Sequence, residues 1–295
     1  MTKQEYQEQY THYVELTEAR LVELCDAYLP ESSRIAQAAR YSLLSGGKRV
    51  RAVLTLAACK ASGTPAVQAV DYACALEMLH CYSLIHDDLP CMDNDDFRRG
   101  RPSCHKQYDE ATALLAADAL VTAAFEVIAN AQLPAEICVK AARILAAGGG
   151  AMGMLYGQEL DKQYEVQPAD EDQLRELHRH KTGKLIVAAV ELGCIAAGEE
   201  NDFCTALAKY AEELGLVFQI VDDMLDVTST EEELGKPIGS DAANGKTTFV
   251  TLYGLEGASK LAVQHNEAAC EALGALGERG VFLHELAVAL LKRNK

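Results

Sequence analysis

Apolar residues recur at the spacing of an α-helix along almost the whole sequence. Between residues 13 and 29, Val14, Leu21 and Leu24 fall at helical intervals with acidic residues between them, and Pro30 follows. Such spacing predicts an amphipathic helix, which a proline would end. Further helices are predicted over residues 34–44, 48–61, 67–88, 106–130, 135–147, 150–165, 171–197, 201–228, 247–264 and 281–292. No stretch alternates apolar and polar residues as a half-buried strand does, so the sequence predicts an all-α fold.

The breaks between the predicted helices are short. They comprise SGGK at 45–48, SGTP at 62–65, QLP at 132–134 and QPAD at 167–170, and no low-complexity linker divides the chain. A single domain over residues 1–295 is therefore predicted. The longest stretch without a helical pattern after residue 100 is 229–246, and a loop of that length in a compact domain is often functional.

The charge of the chain limits its partners. There are 44 acidic and 27 basic residues, and the net charge of −17 argues against binding to nucleic acid or to an anionic membrane surface. An anionic ligand would have to be held by local clusters of basic residues.

The cysteines and the N-terminal residues indicate the compartment. The ten cysteines include no CxxC pair, which favours a reducing environment over a disulfide framework. The N-terminal MTKQEYQEQYTHYVELTEARL is too polar for a secretory signal, and Gly or a charge interrupts each apolar stretch before the ~20 residues that cross a bilayer. We therefore expect a cytoplasmic protein without a membrane span.

Five aspartates lie within the ten residues DDLPCMDNDD, 87–96. Pro90 predicts that the preceding helix ends near Asp88. Carboxylates at a helix C-terminus are unfavourable because of the helix dipole, unless a cation binds them. Asp93, beyond the turn, could fold back and share that cation with Asp87. A solvated acidic loop would have the same composition.

A second group of aspartates favours the metal hypothesis. In GLVFQIVDDMLDV, residues 215–227, the apolar positions 217, 221 and 225 would form one stripe, and the other side would carry Gln219, Asp222, Asp223 and Asp226. Asp222 and Asp226 form a like-charge i, i+4 pair, which destabilises an isolated helix. Two locally unfavourable aspartate sites suit hard divalent cations with oxygen ligands, above all Mg²⁺.

Basic residues are clustered at four places. In SGGKRVR, Lys48 and Arg51 would lie three apart on one face at the start of a helix, where backbone N–H groups also favour a phosphate. The other clusters contain Arg98, Arg99 and Arg101, then Lys181 and Lys184 with Thr182 and a Gly183 that predicts a helix irregularity, and last Lys236 and Lys246. Surface solubility would explain any one cluster. Four of them beside two aspartate groups indicate a site for phosphate groups.

These motifs resemble those of a known family. Asp87-Asp88-Leu-Pro-Cys-Met-Asp93 followed by Arg98-Arg99-Gly-Arg101-Pro is similar to the first aspartate-rich motif of the trans-isoprenyl diphosphate synthases, and Phe218-Gln219-Ile-Val-Asp222-Asp223-Met-Leu-Asp226 is similar to the second. The segments Gly47–Arg51, Lys181–Gly183 and Gly235–Thr248 resemble the remaining family motifs. All five stand in the family's order.

The resemblance implies the family's all-α fold, with antiparallel helices around a deep central cavity, and a homodimer. By the same resemblance, Asp87 and Asp93 would bind two Mg²⁺ ions and Asp222 a third, with Mn²⁺ as an alternative ion. The catalytic set would further include Asp88, Asp223, Asp226, Lys181 and Thr182. The diphosphate of an allylic substrate would meet Arg98, Lys181, Thr182, Gln219, Lys236 and Lys246. Isopentenyl diphosphate would be held by Gly47, Lys48, Arg51, His80 and Arg99.

The implied activity is a prenyl transfer. Ionisation of dimethylallyl or geranyl diphosphate gives a carbocation, the isopentenyl double bond attacks it, and the released diphosphate would accept the proton that is then lost. Metal ions and basic groups stabilise the charge on the leaving group, and an apolar cavity excludes water from the cation.

Tyr82 and Ser83 are candidates for control of product length, because they lie five and four residues before Asp87 and so a little over one helical turn deeper. An aromatic residue at this place and two extra residues inside DDxxxxD resemble bacterial farnesyl diphosphate synthases. Tyr82 could also be an ordinary core aromatic residue.

Other functions are compatible with parts of the pattern. They are a geranyl or geranylgeranyl diphosphate synthase, a terpene cyclase, and a non-catalytic regulatory subunit or metal-binding scaffold. A cyclase normally has an aspartate-rich motif at only one of the two metal sites, and a non-catalytic subunit would be expected to have lost part of one. The sequence leaves the roles of Gln158, Asp161 and the basic C-terminal KRNK open.

Overall fold

The computed structural model describes residues 1–199, 202–228 and 246–293. The chain divides into two compact units. We call Thr2–Ile144 with Leu192–Gly198 the N-terminal unit, and Leu145–Glu191 with Glu199–Lys295 and Met1 the C-terminal unit. The single domain expected from the sequence stays a prediction.

The N-terminal unit consists of helices and one very short hairpin. In chain order its elements are α1 (Lys3–Tyr28), α2 (Arg34–Leu43), α3 (Val50–Ala61), α4 (Val70–Asp87), β1 (Phe97–Arg98), β2 (Arg101–Pro102), α5 (Cys104–Gln107), α6 (Glu110–Asn130) and most of α7 (Ala135–Gly149). The side chains of Thr2, Ser33 and Asp109 each accept a hydrogen bond from a backbone N–H in the first turn of α1, α2 and α6. These caps satisfy donors that a helix start otherwise leaves unbonded.

Helix α4 is the central helix of this unit. It is buried on almost all sides and packs against α1, α3 and α6. A helix surrounded in this way is apolar around its whole circumference rather than along one stripe. The polar residues His80 and Asp87 therefore lie on a helix that its neighbours surround on almost all sides.

The regular secondary structure in the described residues of the C-terminal unit is all helical. Its elements are α8 (Met154–Val166), α9 (Glu171–His178), a π-helical segment (Arg179–Gly183), most of α10 (Lys184–Ala196), α11 (Asp202–Thr228), α12 (Phe249–Ala272), a 3-10 segment (Leu273–Gly280) and α13 (Val281–Leu291). Val217, Ile220 and Val221 of α11 form a buried core with Leu174 of α9 and Phe249. Helices α7 and α10 contribute residues to both units.

Several boundaries differ from the predicted ones for local reasons. Helix α1 begins at Lys3 rather than at residue 13, because Thr2 and Glu5 form a capping box. The helix predicted from residue 106 begins at Glu110, after the Asp109 cap. The segment predicted as 67–88 starts with a 3-10 turn, and the segment 171–197 is interrupted by the π-helical residues that end at Gly183. The irregularity predicted at that glycine is confirmed.

The expectation that the chain has no strand was wrong at one place. β1 and β2 pair antiparallel, with Arg98 opposite Arg101. The turn residues Arg99 and Gly100 both have positive φ, 53° and 73°, as a type I′ turn requires. Strands of two residues are too short to show an alternating pattern in the sequence.

Two stretches, Glu110–Asn130 and Ala135–Val166, reach the length and hydropathy of a membrane span. Half of the first window is buried inside the protein, and the second stretch is not one helix, since it is divided between α7 and α8. Core helices of proteins outside membranes reach the same values, so these stretches are weak evidence for a span.

Candidate active site

The first aspartate motif lies where α4 ends. The helix stops at Asp87, as Pro90 predicts, and Asp88 caps it. The backbone N–H of Asp93 then donates to the carbonyl oxygen of Asp87 at 2.8 Å. The prediction that Asp93 folds back to the helix end is therefore confirmed, because this backbone hydrogen bond joins the two residues.

Asp88 has a different environment from its neighbour. Asp88 is only 2% exposed. One of its carboxylate oxygens accepts two hydrogen bonds from Arg98, and the one from Nε is 3.0 Å long. Arg98 lies in β1, so the hairpin is attached to the end of α4 through this ion pair. The Asp88 carboxylate therefore positions the guanidinium of Arg98, which the family resemblance predicts to bind the diphosphate.

The residues predicted to bind isopentenyl diphosphate lie close together in the N-terminal unit. Arg99 donates to the carbonyl oxygen of Gly46, and its guanidinium would be only 2.9 Å from a Cβ at Gly47. Gly47 also has φ of 130°, a backbone conformation that residues with a side chain rarely adopt. The glycine loop therefore allows Arg99 to approach the backbone closely.

Arg51 and His80 form the second contact of this group. Nη1 of Arg51 lies 3.1 Å from Nε2 of His80. Arginine can only donate, so Nε2 is the acceptor and the imidazole is neutral with its proton on Nδ1. The pKa of His80 is well below its usual value because of burial first and then the charges of Arg51 and Arg99.

The predicted helical pairing of Lys48 with Arg51 is wrong. Helix α3 begins at Val50, and Arg49 before it has φ of 49°. Lys48 therefore belongs to the loop and not to a helix face. Its carbonyl oxygen accepts a hydrogen bond from the hydroxyl of Tyr10 at 2.5 Å. A left-handed residue at a position other than glycine is uncommon, which is why helical periodicity extended the helix too far.

The C-terminal unit contains a pocket of about 220 Å³. Its lining includes the predicted residues Lys181, Gln219, Asp222, Asp223 and Lys246, together with Asp161, Tyr164, His178 and Thr248. Both ammonium groups meet one carboxylate: Nζ of Lys181 and Nζ of Lys246 lie 2.6 and 3.3 Å from Oδ2 of Asp161. Although burial alone would raise the pKa of Asp161, the two lysines hold it below its usual value.

Glycines explain how the Lys181 segment fits against its neighbours. A Cβ at Gly157 of α8 would lie 2.1 Å from the backbone nitrogen of Lys181, and a Cβ at Gly215 of α11 would lie 3.0 Å from Cα of Gly183. Only residues without a side chain permit these approaches. The π-helical turn is therefore held between α8 and α11, and Lys181 projects beside Asp161.

A chain of hydrogen bonds connects two motifs of this unit with the start of α12. Thr182 donates to the amide oxygen of Gln219 at 3.2 Å, and the amide nitrogen of Gln219 donates to Asp223 at 3.1 Å. The second oxygen of Asp223 accepts from the backbone N–H of Phe249 at 2.8 Å. Asp223 and Asp226 are each 3% exposed. The side of α11 that carries these aspartates is therefore buried as well, because the start of α12 packs against it at Asp223.

Asp222 lines the pocket and contacts the C-terminal basic residues. The guanidinium of Arg293 donates to the Asp222 carboxylate and, at 2.8 Å, to the carbonyl oxygen of Phe218. It also stacks on the Phe218 ring at 4.0 Å. As far as residue 293, the basic tail thus lies along α11 at the second aspartate motif.

The chain-length candidates lie on α4. Tyr82 is 7% exposed, and its ring stands edge-on to His86 at 5.4 Å. The pKa of Tyr82 is raised by burial first and then by Asp87, which places its hydroxyl in the field of the first aspartate motif. Ser83 is 5% exposed and donates to the carbonyl oxygen of His80 at 2.8 Å.

Some predicted residues lie outside the described part of the chain. Lys236 is one of them, and so are Gly235 and the other motif residues up to Gly245. Their assignments stay predictions.

The sequence matches the polyprenyl synthetase family over residues 32–272. It is 43% identical to the farnesyl diphosphate synthase of Micrococcus luteus over 272 residues, which are 92% of this chain and 94% of the relative. The chain belongs to the polyprenyl synthetase family. It is also 46% identical to geranylgeranyl pyrophosphate synthase 9 of Arabidopsis thaliana, over 81% of this chain and 68% of that one.

A solved structure of a geranyltransferase from Helicobacter pylori, complexed with magnesium and isoprenyl diphosphate, is similar to this polyprenyl synthetase with a TM-score of 0.82 and 38% identity, over 96% of each chain. The predicted family, the all-α isoprenoid synthase fold and a prenyltransferase activity that elongates isoprenyl chains are confirmed by these similarities.

Three residues of this polyprenyl synthetase that sequence reasoning left without a role lie at the site. Asp161 holds two lysines, and Arg293 holds Asp222. Among the described residues, neither ring nitrogen of His178 has a hydrogen bond, and burial first and then Lys181 lower its pKa to about 3. A signal in the sequence for the Asp161 contact is Gly157, because its close approach to Lys181 brings Asp161, one helical turn further on, beside that lysine.

Proposed function

We propose that the protein is a farnesyl diphosphate synthase, which condenses dimethylallyl diphosphate and then geranyl diphosphate with isopentenyl diphosphate. The observation that carries most weight is the convergence of Lys181 and Lys246 on Asp161 in the pocket that Asp222 lines. The two ammonium groups would contact a diphosphate directly, whereas the carboxylates of Asp161, Asp222 and Asp223 in the same lining outnumber them, so divalent cations would have to bind together with the diphosphate.

The carboxylates at both aspartate motifs fit Mg²⁺ rather than a softer metal, because every donor is an oxygen. Asp87 and Asp93 would hold two ions and Asp222 a third, with Mn²⁺ as an alternative, whereas the hydrogen bonds of Asp88 and Asp223 give those carboxylates a positioning role. When bound, the ions would neutralise the charge that develops on the diphosphate as the allylic C–O bond breaks.

The chain's own groups would act on the two substrates separately. Arg98, Lys181 and Lys246 would bind the diphosphate of the allylic substrate, supported by the hydrogen bond of Thr182 to Gln219. Lys48, Arg51, Arg99 and the neutral His80 would bind isopentenyl diphosphate. The double bond of the latter forms the new C–C bond, and the proton that is lost goes to the released diphosphate. No side-chain nucleophile is required.

Tyr82 supports farnesyl diphosphate as the product, because a buried aromatic ring one turn from Asp87 would block further elongation. A geranylgeranyl diphosphate synthase is the alternative, and the Arabidopsis relative bears that name.

We also expect a homodimer, because α6 exposes Leu114 and Leu115, 45% and 47% accessible, in the N-terminal unit. The predictions of a cytoplasmic location, a single domain, no membrane span and no nucleic-acid partner are retained.

Product analysis tests the proposal. The protein would be incubated with labelled isopentenyl diphosphate and either dimethylallyl, geranyl or farnesyl diphosphate in Mg²⁺, and the products separated by chromatography after removal of the diphosphate. We expect farnesyl diphosphate from the first two substrates and little product from the third. A C20 product from all three would identify a geranylgeranyl diphosphate synthase, and no product from any would exclude a prenyltransferase.

Removal of divalent ions is expected to abolish this turnover. Chelation with EDTA should reduce the rate to the background, since the carboxylates of Asp87, Asp93 and Asp222 would then have no cation between them and the diphosphate. Added Mg²⁺ should restore the rate fully, and added Mn²⁺ should also restore turnover. A rate that persists in excess EDTA would contradict the assignment of these aspartates to metal ions.

Replacing Arg293 with Ala is expected to lower the Mg²⁺ concentration for half-maximal activity about two- to fivefold. The guanidinium holds the carboxylate assigned to the third ion, and a partly exposed ion pair is worth up to about 1 kcal/mol, or roughly fivefold. Rates of the variant and of the control Lys292→Ala would be measured across a Mg²⁺ titration. An unchanged midpoint in Arg293→Ala would show that Arg293 does not compete with the metal.

A further inference from the structure

We propose that Arg49 and Glu77 are positioning residues for the isopentenyl diphosphate site and make no contact with the substrate. This inference rests on the proposed function, because it takes Lys48, Arg51 and His80 as the groups that bind that diphosphate. Arg49 lies between the first two in the sequence, and Glu77 lies one helical turn before His80 in α4.

The side chain of Arg49 is directed away from solvent and connects three parts of the N-terminal unit. Only 1% of it is exposed. Nη1 lies 3.1 Å from Oε2 of Glu77, Nε lies 2.7 Å from Oε1 of Glu18 in α1, and Nη2 donates to the carbonyl oxygen of Leu43 at 2.6 Å. All three nitrogens are therefore engaged, and none is directed at a ligand.

The backbone of Arg49 explains why these bonds matter for its neighbours. Its φ of 49° is left-handed, which is uncommon for a residue with a Cβ and persists only where the surroundings impose it. This conformation sends Lys48 into the loop and lets α3 start at Val50. The buried side chain supplies the constraint, since it attaches the left-handed residue to α1, to α4 and to the end of α2.

Glu77 performs a second task with its other oxygen. Oε1 accepts a hydrogen bond from the backbone N–H of Ala52 at 3.2 Å. Ala52 is in the first turn of α3, and Arg49 at the N-cap makes no side-chain cap of its own. A carboxylate from α4 thus caps the start of α3. The cap sets the spacing between α3 and α4 next to the place where Arg51 meets His80.

A buried ion pair is a poor device for stability alone. Apolar side chains of similar volume often stabilise a protein as well or better, and buried pairs are better explained where they select one arrangement. The arrangement selected here is a turn with Lys48 before it, Arg51 after it and His80 opposite. We therefore infer that the pair fixes the geometry of the basic site, a role that an ordinary core contact does not have.

Steady-state kinetics on four variants test this assignment. Glu77→Gln keeps the volume and an oxygen for the Ala52 N–H but removes the charge. Arg49→Lys keeps the charge but not the three-way bonding. We expect each to raise the KM for isopentenyl diphosphate about tenfold or more, with the KM for geranyl diphosphate changed less than twofold.

The third variant, Arg49→Met with Glu77→Leu, replaces the pair by apolar residues. The fourth, Arg20→Lys, is the control, because Arg20 also joins α1 to α4, through Asp71 at 2.7 Å.

The apolar double variant decides between positioning and stability. We expect the melting temperature of the double variant to lie within a few degrees of that of the parent, while its KM for isopentenyl diphosphate stays raised. Recovery of both quantities would show that the pair is only structural and would overturn the proposal, as would equal increases in both KM values in the single variants. Failure of the parent protein to condense the two substrates would overturn the proposed function, and this inference with it. Arg20→Lys should leave both KM values unchanged.

Discussion

Replacing Asp87 with Asn is expected to lower kcat/KM about a thousandfold or more, with no loss of helical content. The carboxylate at the end of α4 is 8% exposed and is assigned to a metal ion that neutralises the departing diphosphate. Losing about 4 kcal/mol of this stabilisation corresponds to about three orders of magnitude in rate. The rate would be measured by release of diphosphate at saturating Mg²⁺, and the helical content by circular dichroism.

The stability of this variant adds a sharper test. A carboxylate at a helix C-terminus opposes the helix dipole, so the neutral amide should leave the melting temperature in EDTA unchanged or raised. The control is Asp96→Asn, in the same loop, where the side chain is 60% exposed and pairs with Lys106, and its rate should be near that of the parent. A large loss of stability together with activity in Asp87→Asn would show that the residue is structural, and near-normal turnover would exclude it as a metal ligand.

Asp222→Asn is expected to have a loss of activity of the same order. It differs from Asp87 in its partner, because the Arg293 contact would lose its charge at the same time. Comparison with Arg293→Ala separates the two causes: that variant also lacks the ion pair but retains the carboxylate. Only the loss of the carboxylate should reduce the rate at saturating Mg²⁺.

Replacing Tyr82 with Ala is expected to change the product from C15 to C20 or longer. The ring is buried against His86 next to Asp87, and a growing chain whose diphosphate is held near Asp87 would meet it after a fixed length. Its removal extends the space by the volume of a phenol ring. Products would be separated by reversed-phase chromatography after hydrolysis of the diphosphates.

Two further variants make this prediction specific. Tyr82→Phe keeps the ring and should keep the C15 product, because the block is steric and does not depend on the hydroxyl. Ser83→Ala tests the second candidate: its hydroxyl is small and bonded to the carbonyl oxygen of His80, so we expect at most a small shift toward longer products. A C15 product from Tyr82→Ala would remove this residue from the control of chain length.

Local patterns were sufficient for part of the fold and of the candidate site. The spacing of apolar residues located most of the helices, and Pro90 located the end of α4. The positions of Gly47 and Gly183 marked the glycine loop and the π-helical turn. These predictions succeeded because each depends on residues within a few positions of one another, where φ restrictions, missing donors and helical spacing act directly.

Other features were not accessible to such patterns. The left-handed conformation of Arg49 depends on Glu18 and Glu77, which lie 31 and 28 residues away in the sequence. The burial of Asp223 depends on Phe249, 26 residues further on. Periodicity therefore extended α3 backwards to Lys48, and it could not indicate that the side of α11 with Asp223 is buried too.

The chemistry of the protein follows from its sequence, because the types and spacing of the aspartates, lysines and arginines specify oxygen ligands for a metal and cations for a diphosphate wherever the helices place them. The tertiary structure decided which of these groups act on a substrate and which hold the others in place. Asp87 and Asp88 are adjacent in the sequence, yet the carboxylate of Asp88 holds Arg98 whereas the backbone of Asp87 receives Asp93, and Asp161 became part of the site because two lysines converge on it. Such roles arise from contacts between distant segments, whose free energies depend on burial and geometry that no local pattern contains.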